Sequence, residues 1–374
     1  MSEPVVTVLL PVFNGRPFLE QAVRSVLSQT YEALDVLVID DGSTDSSPEI
    51  LERLRLEDSR LRFVTRENRG LIATLNEGLA LARGSLVARM DADDVCYPDR
   101  IARQVEAFRS DPSLGLCATG FDLVFDGDRV EIFTAGERWA DEDLPSISLF
   151  FTAFRHSTVM FNRPVLGPDV LHYAPECPHA EDFDLFGRIT AEHPARLIRD
   201  SLLAYRTHEA SVTSLHVRTM RRTHLRVVQR NLRAFGCDTE IEALLADPSE
   251  PGETLLRQMT RFYEAAREAA AGRPAEERVG LTIGVEGFFF LLLVMAEEEH
   301  GPAFAARFLD ETGGWAMMRR RERYPLQTFR RSPGLAKAVW EGFRRMDRWE
   351  RRRRSRPLQR VLAERGLPLE AIAA

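Results

Sequence analysis

Lysine, cysteine and long apolar runs are scarce in this 374-residue chain. Its 50 basic residues are arginines apart from Lys337, and the absence of a Gly-x-x-x-x-Gly-Lys-Ser/Thr loop excludes a P-loop nucleotide site. Four scattered cysteines lack paired metal spacing, which excludes a disulfide framework and predicts reduced thiols. The longest apolar run, from Leu281 to Ala296, contains Glu286 and is shorter than the roughly 20 residues of a membrane-spanning helix. We therefore predict a buried helix there.

Charge is unevenly distributed along the chain. The formal net charge is −7, yet the segment from Trp315 to Arg360 contains sixteen basic and four acidic residues. An acidic main body excludes a general nucleic-acid binder, whereas a basic tail suits an anionic membrane surface or an acidic partner. The alternative is that these arginines simply solvate helix faces. The start of the chain lacks a signal-peptide pattern, so we expect a cytoplasmic protein, with peripheral contact to the inner face of the membrane as an option. No pattern indicates an oligomeric state.

Apolar runs of strand length alternate with helical patterns through the first 110 residues. The predicted strands are Val5–Leu10, Leu34–Ile39, Leu61–Thr65 and Leu86–Met90, and the predicted helices are Phe18–Leu27, Ser46–Leu56, Leu71–Leu81 and Asp99–Phe108. This order predicts an α/β fold with a parallel sheet flanked by helices, which binds ligands outside the carboxyl ends of its strands. A mixed pattern follows, and residues after about 214 are mainly helical. We predict one α/β domain at 1–215 and an α-helical domain with an arginine-rich tail at 216–374.

Two carboxylates follow the fourth predicted strand. In an extended segment Asp91 and Asp93 point to the same side. Because like charges so close repel, a cation is expected between them, and hard oxygen ligands favour Mg²⁺ or Mn²⁺, which would in turn hold a diphosphate. An isolated Asp-x-Asp in a surface loop is more often a solvated turn. Its position at the ligand-binding edge of the sheet favours the metal site.

A series of motifs surrounds this pair in a fixed order. They are Val8–Asn14, Ser25–Thr30, Val38–Asp45, Asn68–Gly70, Leu75–Gly78, Gly84–Ser85, Asp91–Asp94 and Pro98–Arg100. Together they resemble the catalytic domain of glycosyltransferase family 2, which has the GT-A fold. The resemblance covers about residues 5–110, with weaker matches to about 215. It implies an inverting, metal-dependent enzyme that moves a sugar from a nucleotide sugar, for which we expect a UDP-sugar, to a hydroxyl of a glycan, a lipid-linked glycan or another acceptor.

The same resemblance assigns site residues. It places nucleotide-sugar binding at Pro11, Val12, Phe13, Asn14, Asp41, Arg66, Asn76, Asp91, Ala92, Asp93, His208 and Ser211. It implies that Asp91, Asp93 and His208 hold Mn²⁺ or Mg²⁺. Physical reasoning agrees at Asp41, because a carboxylate there can accept a hydrogen bond from uracil N3–H, which cytosine lacks. The alternatives are a turn with a helix N-cap around Asp41, a solvated arginine at Arg66 and a structural histidine at His208.

An acidic pair, Glu181 and Asp182, resembles the family segment that supplies the catalytic base. Inverting transfer needs a carboxylate that takes the proton from the acceptor hydroxyl. We predict Asp182 as this base, with Glu181 orienting it or contacting the acceptor. The alternative is a helix N-terminus decorated with acids that favour the helix dipole. His156 is a further candidate for contact with the sugar or the diphosphate.

Two other functions are compatible with parts of the sequence. A nucleotidyltransferase also uses a nucleotide-binding sheet and paired acids, but it usually has a Gly-rich, basic loop after the first strand, where this chain has Pro11–Pro17. A catalytically inactive nucleotide-sugar-binding module would not need the intact acids Asp91, Asp93, Glu181 and Asp182. Both alternatives fit less well than the transferase.

Overall fold

The computed structural model describes residues 3–125, 128–133, 139–208, 216–246, 252–319, 323, 326–328, 333–368 and 370–371. Contacts between residues divide the chain into two compact units. The first unit consists of Met1–Leu144, Thr152–His216 and Ser355–Ala374, and the second of Pro145–Phe151 and Val217–Arg354.

Within the described residues, the first unit contains a ten-stranded mixed sheet. The strands are β1 (Val6–Val12), β2 (Leu34–Asp40), β3 (Leu61–Thr65), β4 (Leu86–Arg89), β5 (Val95–Cys96), β6 (Leu116–Phe125), β7 (Arg129–Phe133), β8 (Met160–Asn162), β9 (Ala195–Arg206) and β10 (Arg356–Pro357). Their order is β10-β7-β6-β8-β4-β1-β2-β3, and β9 pairs with both β6 and β5. The β4-β1-β2-β3 part is parallel, and β8 joins it antiparallel to β4.

The parallel part of the sheet follows from its apolar sequence. Every residue of β1 and β2 is buried, as expected for strands covered on both faces. Val8 aligns with Val36, and Leu10 aligns with Val38. These side chains join one hydrophobic core with residues of the first helix, such as Val23.

The helices of the first unit pack on this sheet. They are α1 (Leu19–Leu27), α2 (Ser47–Glu57), α3 (Leu71–Leu81), α4 (Arg100–Ser110), α6 (Arg163–Val170), α7 (Glu181–Glu192) and α14 (Leu358–Glu364), with α5 (Leu144–Ile147) beginning at the boundary between the units. Each strand and helix predicted within the first 110 residues is present, with ends within two residues of the prediction. The predicted α/β architecture is confirmed.

The strand order reverses between β1 and β4. From β1 the chain continues to β2 on one side and later returns to β4 on the other side of β1. Ligands of open α/β sheets bind at such a reversal, because the loops that leave the two strands diverge there and open a crevice. The loops after β1 and β4 carry Asn14 and Asp91.

The second unit is helical in its described residues. Its helices are α8 (Val217–Ala234), α9 (Glu242–Leu245), α10 (Glu253–Ala271), α11 (Ala275–His300), α12 (Pro302–Thr312) and α13 (Pro333–Arg354). By length and composition alone, α11 could cross a membrane, but core helices of soluble proteins pass the same test, and 56% of its apolar window is buried. A Cβ on Gly284 would lie 2.6 Å from the Phe150 ring, and one on Gly287 would lie 2.2 Å from the Phe151 ring. This close packing supports the predicted buried helix.

The end of the chain differs from the sequence-based division at residue 215. Ser355–Ala374 belongs to the first unit, because β10 pairs with β7 and the apolar residues of α14 join a cluster on that side of the sheet. Leu358 and Val361 pack there with Tyr97 and Val130. A two-residue strand behind a run of arginines carries no periodic apolar signal, so the sequence did not indicate it. That the chain consists of a catalytic domain and a helical domain with an arginine-rich tail stays a prediction.

Candidate active site

A cleft of about 540 Å³ opens where the strand order reverses. Most of the predicted nucleotide-sugar residues line it: Pro11, Val12, Phe13, Asn14, Asp41, Asp91, Ala92, Asp93 and His208. Residues that the sequence did not indicate also line it, including Phe18, Thr74, His179 and His216. The cleft therefore collects loops that are distant in sequence.

The loop after β1 is fixed to the loop after β2. The N–H of Asn14 donates to Ser43 Oγ over 2.8 Å, and the N–H of Thr44 donates to Asn14 Oδ1 over 2.8 Å. Asn14 has φ 55°, a left-handed conformation that asparagine tolerates better than most residues. These bonds hold one wall of the cleft in place without a ligand.

Asp41 anchors the loop after β3. Its carboxylate accepts hydrogen bonds from the N–H of Arg69 over 2.8 Å and of Gly70 over 3.0 Å, and it pairs with Arg66. Gly42 (φ 80°) allows the close approach, since a Cβ there would lie 2.8 Å from the Asn68 nitrogen. A carboxylate has about four acceptor positions, so about one is left for a ligand in the cleft.

Arg66 holds Asp41 and does not line the cleft. Its side chain also donates to Glu77 over 2.7 Å and to Thr74 Oγ1 over 2.8 Å, and it is almost buried. Protein acceptors occupy most of its N–H groups, and the predicted contact of Arg66 with the nucleotide sugar stays a prediction. Its contribution is to position the Asp41 carboxylate.

Asn76 also lies outside the cleft. Its side-chain amide donates to the carbonyl of Tyr173 over 2.9 Å and accepts from the N–H of the same residue over 2.8 Å. Two backbone bonds to a residue 97 positions away make it a brace between α3 and the segment before α7. Its predicted contact with the nucleotide sugar stays a prediction. The adjacent Gly78 allows close packing, as predicted, because a Cβ there would lie 2.2 Å from Leu9.

The carboxylates after β4 form a compact acidic triad. Ligand atoms of Asp91, Asp93 and Asp94 lie within 4.8 Å of one another. Asp91 accepts a hydrogen bond from Ser157 Oγ over 2.6 Å and pairs with the buried Arg89. His208 Nε2 lies 2.9 Å from Asp93 Oδ2. The structure thus brings the three predicted metal ligands together.

Asp94 is the member of this triad that the sequence analysis missed. It is fully buried, its Oδ1 accepts from the N–H of Arg206 over 2.8 Å, and its Oδ2 has no hydrogen-bond partner among the described residues. Burial, followed by the charges of Asp93 and Asp91, raises the pKa of Asp94 well above its usual range. An unsatisfied buried oxygen beside two further carboxylates fits a hard divalent cation.

Glu181 and Asp182 begin α7. Glu181 is 5% exposed, and burial, followed by the charge of Asp182, raises its pKa to about 7; Arg89 opposes and Asp91 adds to this rise. Asp182 is half-buried and accepts from the N–H of Phe183 over 2.7 Å. Burial raises the pKa of Asp182 as well, while Arg89 and Arg155 oppose the shift. The pair is thus electrostatically coupled to the residues around the acidic triad.

His179 and His216 line the cleft, but the sequence did not predict either of them as a site residue. The rings of His179 and His216 stack with centroids 4.3 Å apart and planes 10° apart, and His179 has φ 62°. Such a contact between residues distant in sequence leaves no local pattern.

His156 is buried instead of facing the cleft, with Nε2 2.8 Å from the Tyr173 hydroxyl, and burial lowers its pKa well below the usual range. Ser211 lies outside the described residues.

Residues 7–175 match the family model described as glycosyl transferase family 2. This segment is a glycosyltransferase family 2 domain. The chain is 25% identical over 240 residues to an uncharacterized glycosyltransferase of Haemophilus influenzae, covering 62% of this chain and 74% of that one. It is 26% identical over 243 residues to the chondroitin synthase of Escherichia coli, covering 62% of this chain but 33% of the synthase.

A solved glycosyltransferase has the same fold. The mannosyltransferase PcManGT from Pyrobaculum calidifontis, determined in complex with GDP-Man and Mn²⁺, superposes with a TM-score of 0.50 at 18% identity, covering 79% of this chain and 87% of that one. The predicted GT-A type of fold is confirmed.

Proposed function

We propose that this glycosyltransferase is an inverting, divalent-metal-dependent enzyme that moves a sugar from a UDP-sugar to a hydroxyl acceptor. The observation that carries the proposal is a second acidic pair, close enough to the cleft for the charge of Asp91 to act on Glu181. A triad of carboxylates follows β4, and a second carboxylate pair with raised pKa values begins α7. Separate carboxylate sets for the leaving group and for the acceptor proton are what such a reaction requires.

Asp91, Asp93 and Asp94 would hold Mn²⁺ or Mg²⁺, with His208 next to Asp93. The unsatisfied Asp94 Oδ2 and the all-carboxylate donor set support this assignment. A bound divalent cation stabilises negative charge on a departing diphosphate. Arg89 and Ser157 orient Asp91, since both contact its carboxylate. Arg206 fixes the turn itself by donating to the Asp93 carbonyl over 2.8 Å.

Asp182 is the proposed catalytic base. It is half-buried and so can be reached by an acceptor hydroxyl, whereas Glu181 is nearly inaccessible. A raised pKa makes a carboxylate a stronger base near neutral pH. Glu181 would then orient the Asp182 carboxylate at the start of α7.

Asp41 is the proposed reader of the base. About one acceptor position of its carboxylate is free after the bonds from Arg69, Gly70 and Arg66. A carboxylate oxygen held rigidly just after β2 can accept a hydrogen bond from the N3–H of uracil. Cytosine has no such N–H and would leave this oxygen unpaired, which disfavours its binding. This supports UDP over CDP as the nucleotide.

The arginine-rich helix α13 supports a peripheral membrane contact. Met346 and Trp349 are 55% and 59% exposed. At about 100° per residue, three arginines share the side of the helix that carries these two side chains: Arg345, Arg352 and Arg353. Exposed apolar groups among cations are typical of a helix that lies on an anionic bilayer, and each basic residue there contributes about 1 kcal/mol.

Vesicle sedimentation tests this contact. The full chain should sediment with phosphatidylserine-containing vesicles and not with phosphatidylcholine alone. Replacing Arg345, Arg352 and Arg353 together by Gln should lower partitioning on the order of 100-fold. A control with the same charge change on three other exposed arginines, Arg257, Arg261 and Arg278, should bind as the parent does. Equal loss in both variants would reject the assignment.

The transferase activity itself is tested by a nucleotide-release screen. With Mn²⁺ or Mg²⁺ present, the enzyme should release UDP from at least one UDP-sugar in an acceptor-dependent manner, and chelation should abolish the release. The competing nucleotidyltransferase function would instead release pyrophosphate from UTP and a sugar 1-phosphate. Pyrophosphate release without UDP release would overturn the proposal.

A further inference from the structure

Arg155 is a restrained and exposed cation at the edge of the active site. It directly precedes a 3₁₀ turn, His156–Thr158, and is exposed to solvent. Its guanidinium carbon lies 4.5 Å from the centroid of the Tyr205 ring and 5.0 Å from that of Phe121. These two rings contact each other edge to face, with centroids 5.9 Å apart. Stacking on two such rings restrains the arginine by cation–π attraction.

The guanidinium of Arg155 makes no ion pair or hydrogen bond with any described residue. The other arginines of the site differ. Arg66 and Arg89 pair with Asp41 and Asp91, and Arg206 donates to the Asp93 carbonyl. The positive charge of Arg155 is therefore held in place, and no carboxylate among the described residues pairs with it.

Arg155 lies outside the cleft in which we propose that the nucleotide binds. Arg155 is not among the residues that line the cleft between β1 and β4. Its charge acts on Asp182, where it is one of the cations that oppose the upward pKa shift caused by burial. An acceptor hydroxyl must approach Asp182 to lose its proton. The ring of the next residue, His156, contacts the ring of Phe186 with centroids 5.9 Å apart, and Phe186 belongs to α7, the helix that begins with Glu181 and Asp182. Arg155 therefore lies beside the helix that carries the proposed base.

We infer that Arg155 binds an anionic group of the acceptor, a carboxylate or a phosphate, next to the hydroxyl that is glycosylated. The inference rests on the proposed function and adds the acceptor class, an acidic glycan or a phosphate-bearing polyol. The planar guanidinium presents parallel N–H groups that match the two oxygens of either anion. A neutral acceptor would leave this restrained charge unused.

Matched acceptor pairs test the inference. UDP release is measured with methyl glucoside against methyl glucuronide and with glycerol against glycerol 1-phosphate, which separates a carboxylate from a phosphate. In at least one pair the parent enzyme should prefer the anionic member at least tenfold in kcat/KM. Arg155→Gln should remove that preference through a higher acceptor KM, and Arg155→Lys should restore part of it. Arg103→Gln, on the exposed side of α4, should behave as the parent.

Three results would overturn the inference. First, the parent enzyme could use both members of each pair equally well or fail to transfer the sugar to the anionic member. Arg155→Gln could lower kcat/KM equally for both members of each pair with a shifted pH profile, which would make Arg155 an electrostatic aid to Asp182. The variant could instead raise the donor KM, which would place Arg155 on the diphosphate. Failure of the proposed function is separate, because UDP binding by calorimetry and UDP release would then be absent for every acceptor.

Discussion

Glu181 is expected to destabilise the fold at neutral and alkaline pH. Its pKa rises from 4.5 to about 7 because burial and Asp182 disfavour the charged form. Since the folded-state pKa lies above the unfolded one, the folded chain holds a proton that the unfolded chain releases between these two pH values. Stability from this residue is therefore complete below about pH 4.5 and lost as pH rises to about 7. At 1.36 kcal/mol for each pKa unit, the loss amounts to about 3 kcal/mol.

Glu181→Gln removes this loss. Because about 1 kcal/mol of it has already occurred by pH 5, the variant should gain about 2 kcal/mol of stability relative to the parent between pH 5 and pH 8. Urea unfolding of the first unit can be followed by thiol labelling of Cys96 and Cys117, which are fully buried there, whereas Cys237 in the second unit is partly exposed. Glu192→Gln, at the exposed end of the same helix, is the matched control and should show no such pH-dependent gain. If the free energy of unfolding differs between the parent and Glu181→Gln by the same amount at pH 5 and pH 8, the reasoning is refuted.

Three substitutions test the remaining site assignments. Asp93→Ala should weaken Mn²⁺-dependent UDP binding on the order of 100-fold by calorimetry, whereas the exposed Asp169→Ala should not; unchanged UDP affinity would remove Asp93 from the metal site. Asp182→Asn should lower turnover by about 10²–10⁴ while UDP affinity is retained, and full activity would exclude Asp182 as the base. Asp41→Asn, which keeps the side-chain size, should narrow the preference for UDP over CDP in competition assays; equal competition by both nucleotides in the parent enzyme would contradict the role of Asp41.

Local patterns were sufficient for the first half of the sheet. Leu34–Asp40 is a nearly continuous apolar run because the strand is covered on both faces, and a run of that kind can be recognised without knowing its neighbours. The loops that carry Asp41, Asp91 and Asp93 follow these strands, so their convergence at one edge could also be anticipated. The α/β fold and the convergence of these carboxylates were therefore predictable from short windows of sequence.

Long-range contacts were not predictable in this way. The bonds of Asn76 to Tyr173 depend on how α3 meets the segment before α7, and a surface amide looks the same whether it faces a ligand or a backbone. The acceptors of Arg66 on Glu77 and Thr74 come together only in the folded chain, so no short window of sequence shows that they occupy this arginine. Asp94 was overlooked because burial, which distinguishes it from its two acidic neighbours, is a property of the three-dimensional structure.

The pairing of β10 with β7 imposes an order on folding during synthesis. Arg129 in β7 and Ser355 before β10 are linked by a side-chain hydrogen bond across 226 residues of chain. At about 5–20 residues per second, a ribosome makes that interval in about 10–45 s. Throughout this time β7 has no outer partner among the described strands, and an uncovered edge is open to pairing with other nascent chains. The outer edge of β7 in the first unit is thus covered only when residues 355–357 have emerged, which ties the completion of this side of the sheet to translation of the helical unit encoded in between.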